Sequence, residues 1–108
     1  MNHEELDQRS LALHQLVIAR VERDPSLLAR AQTTLARWQK TSSVRTQPAL
    51  LQWAKVLAQG LKAVKQAALL QDDEGQNLRQ SSPLACLLTP RERWDFLKNW
   101  KAAHPHGT

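Results

Sequence analysis

Val21-Glu22-Arg23-Asp24-Pro25-Ser26-Leu27-Leu28 decides the fold, because it closes one helix and opens another within a few residues. Asp24 can accept hydrogen bonds from the free amides of a helix start, and Pro25 suits the first helical position. So short a joint makes neighbours of the two helices it connects. Upstream, Leu6, Leu13, Val17 and Val21 recur at helical spacing with Ser10 in the same stripe, and Glu4, Glu5 and Asp7 favour the N-terminal end. This predicts a first helix from about Glu4 to Arg23. Downstream, Leu28, Ala31, Leu35 and Trp38 form one apolar seam, which predicts a second helix from about Pro25 to Lys40. Arg30 and Arg37 share a different face of it.

The polar stretch from Thr41 to Gln47 has no periodicity and reads as a loop. Pro48 then opens a third helix with Leu50, Trp53, Ala54 and Leu57 on its inner side. Gly60 ends or kinks it, and Leu61 to Leu70 continues as helix. Asp72-Asp73-Glu74-Gly75 reads as a turn, and Gln76 to Gln80 as one added helical turn. Ser82 is placed to cap a short helical piece at Pro83. Thr89-Pro90-Arg91-Glu92 is the clearest start signal: cap, first helical proline and a glutamate that closes a capping box. Trp94, Leu97 and Trp100 or Lys101 follow on one side. From Ala102 onward the chain should fray, leaving 104–108 as a flexible tail. The expectation is an all-α fold, a compact bundle of four to five helices forming a single domain over residues 1–103.

Composition agrees. Among 108 residues there are 18 leucines and 14 alanines against five valines, one isoleucine and no tyrosine, a mixture that favours helix over strand. Cys86 is the one cysteine, so neither a disulfide nor a cysteine-rich zinc site can form within the chain. No apolar run approaches the length of a membrane span, and the N-terminal stretch Met1 to Glu5 lacks a basic-then-apolar leader pattern. The expected location is the cytoplasm.

Net charge is +5, but its distribution says more. No acidic side chain occurs at residues 25–71, while Arg30, Arg37, Lys40, Arg45, Lys55, Lys62 and Lys65 do. Such a block either solvates a face or attracts acidic partners, DNA among them through the segment Arg30 to Lys65.

The residues of a reaction centre are hard to find. Cys86 sits in the apolar run Leu84 to Leu88, where a thiol reads as a small core residue. The glycines are too scattered for a phosphate-cradling loop. His3 with His14, and His104 with His106, offer too few ligands for a metal. The expectation is a binding protein without catalytic residues, metal or cofactor.

Leu88 to Arg93 looks like the opening of the helix-turn-helix of LuxR-type regulators. The chain after Arg93 is too short for the recognition helix that must follow. A wider resemblance is carried by Leu78-Arg79-Gln80-Ser81-Ser82-Pro83-Leu84-Ala85-Cys86-Leu87-Leu88-Thr89-Pro90-Arg91-Glu92-Arg93-Trp94, with Arg9-Ser10-Leu11-Ala12-Leu13-His14 and Leu35-Ala36-Arg37-Trp38. Together these stretches resemble small bacterial proteins encoded beside toxin genes, of the kind associated with zeta-type kinase toxins. The resemblance implies a helical antitoxin that neutralises a cognate toxin protein by direct contact. A nucleotide-binding cleft is commonly basic, so the contact would lie on an acidic part of the toxin.

The candidate surface joins Arg30 and Arg37 to the segment from Arg79 to Arg93, with Ser81, Ser82, Arg91 and Arg93 within reach. Arginine suits it because its planar fork holds a carboxylate through two hydrogen bonds. Local capping of two short helices is the competing role for Arg79, Ser81 and Ser82. Of the tryptophans, Trp38, Trp53 and Trp94 are expected inside and Trp100 at the contact.

Overall fold

The computed structural model describes residues 3–104, and no strand occurs among them. In chain order the helices are α1 (His3–Arg23), α2 (Leu27–Thr41), α3 (Gln47–Gln59), α4 (Leu61–Ala68), α5 (Asp73–Gln80) and α6 (Pro90–Ala103). A 3₁₀ segment, Pro83–Leu87, precedes α6. The fold is all-α as expected, with more helices than the four to five anticipated.

Two places account for the difference. Gly60 has φ 99° and ψ −175°, a combination open essentially only to glycine, and it separates α3 from α4 outright. Residues 72–75, read as a turn, open a helix instead. Asp72 is the N-cap, and its carboxylate accepts a hydrogen bond from the Gly75 amide at 2.9 Å. Gly75 is required for space, since a Cβ there would lie 1.9 Å from the carbonyl oxygen of Leu70. At the decisive joint, Asp24 does accept the Ser26 amide, at 3.2 Å, and also the Ser26 hydroxyl, at 2.5 Å. The helix it was expected to open starts slightly later, at Leu27.

The core draws on every helix except α6. Val17, Ile18 and Val21 of α1 meet Ala31 and Leu35 of α2, Leu50, Trp53, Val56 and Leu57 of α3, and Val64 and Ala68 of α4. Leu78 and the segment Leu84, Leu87 and Leu88 complete it. The 3₁₀ segment is a wedge: α1 and α2 both pack on it, and α1 also packs on α4 and α5. In a 3₁₀ segment positions i and i+3 eclipse, so Leu84 and Leu87 share the inward side. Cys86 falls off that side and is exposed, which corrects its expected place in the core.

α6 begins as the sequence foretold. Thr89 Oγ1 accepts from the Glu92 amide at 3.1 Å, and the Thr89 amide donates to Glu92 Oε1 at 3.0 Å. Glu92 also pairs with Arg20, which ties the start of α6 to α1. Thr89→Ala should lower stability by about 0.5–2 kcal/mol in urea unfolding followed by far-ultraviolet circular dichroism. An unchanged midpoint would remove the cap's assigned role. At the far end, Ala102 and Ala103 remain helical and His104 is the C-cap, its ring stacked on Trp100 at 3.8 Å. The tail expected at 104–108 otherwise lies outside the described residues.

Candidate functional site

Of the eight residues expected to touch a partner, Arg79, Ser82 and Arg93 line one cleft. Arg30 and Arg37 are exposed on α2, and Arg91 and Arg93 are exposed on α6. Arg79 is only 6% exposed, and Ser82 is 5% exposed. The Arg79 guanidinium donates through Nη1 to the carbonyl oxygens of Ala68, at 3.2 Å, and Leu70, at 2.5 Å. It therefore satisfies backbone at the end of α4. Burial lowers its pKa from the ordinary arginine value, opposed by the nearby charges of Asp7 and Asp72. Ser82 caps the 3₁₀ segment, its hydroxyl accepting from the Leu84 amide at 3.0 Å. Local structure engages Arg79 Nη1 and the Ser82 hydroxyl, while Arg79 Nε has no hydrogen-bond partner. Ser81 is half-buried at the end of α5.

The tryptophans sort differently from expectation. Trp53 is fully buried and Trp38 half-buried against the core, but Trp94 is 64% exposed. The reason is register. Glu92, Phe96, Trp100 and His104 recur every fourth residue on the side of α6 that faces α1, with Phe96 and Trp100 stacked at 6.2 Å. Trp94, two positions from Phe96, falls on the opposite side of a 3.6-residue helix. Trp100 is half-buried and, with Leu16, Phe96, Asn99 and Ala103, lines an apolar groove of about 430 Å³ between α1 and α6. The outward side carries Arg91, Trp94, Lys98 and Lys101, all exposed. Arg91 is paired with Asp95 at 3.6 Å.

Beneath α6 lies a feature the sequence reading missed. His14 is 1% exposed, and its Nδ1 donates to the Ser10 carbonyl at 2.8 Å. Burial lowers its pKa below the ordinary histidine value, the Ser10 bond works against that, and Arg79 reinforces it. The signal was present in the spacing His14, Val17, Ile18, Val21, which sets the imidazole in the buried stripe of α1.

No group of three or more His, Cys, Asp or Glu that could hold a metal occurs among the described residues. His106, half of one considered pair, lies outside them. None of the described helices is long and apolar enough to cross a membrane. No protein-family model matches the chain, and neither a curated protein nor a solved structure matches it.

Proposed function

We propose that this chain is an antitoxin-like binding protein that grips an acidic surface of a cognate toxin, a zeta-type kinase in the leading version, with the outward side of α6. The observation that carries the reading is Trp94. An indole left 64% exposed in mid-helix contributes little to the chain's own core. Arg91, Lys98 and Lys101 stand beside it at helical spacing. Tryptophan and arginine are the residues that most often dominate protein interfaces, and a cationic rim steers them toward a carboxylate-bearing partner. Arg30 and Arg37 offer a second exposed cationic pair on α2. Arg79 and Ser82 leave the proposed contact, because both are almost fully buried.

The test is co-expression with the product of the adjacent gene, followed by size exclusion and a growth-protection assay. The expected result is a complex that survives purification. Trp94→Ala and Arg91→Ala should each weaken it by about tenfold or more, the loss of a moderate hot spot, with an unchanged helical spectrum. A neighbouring product that is harmless alone, or separate elution of the two proteins, overturns the reading. If the chain instead binds duplex DNA with an affinity that falls steeply with salt, function passes to the exposed cations between Arg30 and Lys65.

A further inference from the structure

A cleft of about 280 Å³ opens between α1, α5, the 3₁₀ segment and α6. Its lining includes three arginines, Arg9, Arg79 and Arg93, and no carboxylate. Neither Arg9 nor Arg93 has an ion-pair partner among the described residues. Leu13, Phe96 and Leu97 supply an apolar wall. Two buried polar atoms have no hydrogen-bond partner, His14 Nε2 and Arg79 Nε, and both belong to side chains that line this cleft. A buried unpaired group costs about 1–3 kcal/mol, so two at one cleft ask for an occupant. The volume is several times the roughly 30 Å³ share of one water molecule, so the space fits more than a bridging solvent.

We propose that this cleft binds a small oxyanion carried on a short apolar body, a carboxylate or a phosphate monoester, held by Arg79 and Arg93 with its body against Leu13, Phe96 and Leu97. The charged residues lining the cleft are all of one sign, Asp7 and Asp72 lying near Arg79 but outside that lining, and guanidinium donors match oxyanion geometry. The Ser10 carbonyl can only accept, so His14 Nδ1 carries a proton and Nε2 of the neutral ring is a bare acceptor. An oxyanion would reverse that state. It offsets the repulsion from Arg79 and favours a second proton on the ring, which then donates through Nε2. The charged groups facing the ring are Arg9 on its own helix, Arg79 on α5 and Arg93 on α6. The 3₁₀ segment and its cap bring only Ser82 and Ala85, and Lys65 of α4 is engaged with Glu22 at 3.6 Å. Binding therefore takes up a proton, and affinity rises as pH falls until His14 is protonated without ligand. The inference stands apart from any partner on the outer side of α6.

The full chain is titrated with benzoate and phenyl phosphate, with benzyl alcohol as neutral control and inorganic phosphate as the probe lacking an apolar body. Calorimetry gives affinities, and imidazole nitrogen resonances report the His14 ring. Both organic anions should bind at least about tenfold more tightly than benzyl alcohol. Their affinity should rise about tenfold from about pH 8 to about pH 5.5, with the His14 resonances moving to the protonated pattern. Arg93→Gln, a change at an exposed position, should weaken both anions about tenfold at each pH. Anions that bind no better than benzyl alcohol, or that leave the His14 resonances unmoved, overturn the site. Inorganic phosphate binding as tightly as phenyl phosphate overturns the apolar wall.

Discussion

Trp53→Ala should remove about 3–5 kcal/mol of folding stability, the usual loss when a large aromatic leaves a core. Domains of this kind commonly hold only about 5–15 kcal/mol in total, so the loss is a large share of the stability. The indole is fully buried on α3, beside Leu50 and Leu57 in the core cluster. It also bridges in a way no aliphatic residue can: its Nε1 donates to the Leu78 carbonyl at 2.8 Å, joining α3 to α5 across much of the sequence. Trp53→Phe separates the two contributions. It keeps most of the apolar bulk and removes one of two donors to the Leu78 carbonyl, which still accepts from the Ser81 amide at 3.2 Å, so it should lose about 0.5–1.5 kcal/mol from that bond along with any cavity cost. Urea unfolding followed by circular dichroism ranks the three proteins. A Trp53→Ala midpoint within error of the unaltered chain would mean the core does not close around this ring.

Arg79→Ala should be the other severe change, with a loss of about 2–4 kcal/mol, since a buried carbonyl such as that of Ala68 left without a donor costs about 1–3 kcal/mol and the part-buried carbonyl of Leu70 adds less. The carbonyls of Ala68 and Leu70 belong to the end of α4 and the turn after it, where no helical amide remains to serve them. The guanidinium's positive charge at that C-terminus adds to the effect. Arg79→Lys keeps the charge and loses the planar fork, so it should fall between the two. Amide exchange in α5 should accelerate in both variants. Read from the sequence alone, Arg79 serves either a partner contact or the local capping of short helices, and the unfolding curve decides between the two roles. An unaltered midpoint would return Arg79 to the surface.

The buried place of Arg79 marks the edge of what was legible in the sequence. Capping chemistry is local, and Thr89-Pro90-Arg91-Glu92 and Ser82-Pro83 behave as their residues demand. The stripe from Val17 to Val21 and the seam through Leu35 are buried as periodicity requires. What failed depended on angle or on partners far along the chain. Trp94 was assigned to the inner side of α6 with Leu97, although Phe96 and Trp100 set the register and turn it outward. His14 and Arg79 are polar residues kept inside by backbone acceptors, and no local pattern announces a carbonyl several residues away. Gly75 read as a turn because its partner in close approach, Leu70, lies outside the window of a capping motif.

The helix α6 contributes no fully buried residue, and its hold on the body rests on the Arg20–Glu92 pair and the half-buried Phe96, Leu97 and Trp100. Segments with so little buried area open at a small fraction of the global unfolding free energy. One opening equilibrium therefore governs both sides of this helix at once. An occupant beneath it, against His14 and Arg79, would select the closed state, and a protein above it, against Trp94, would do so where it also touches the body. Linkage makes such selection reciprocal: whatever factor the buried ligand adds to the affinity of the outer partner, the outer partner returns to the ligand.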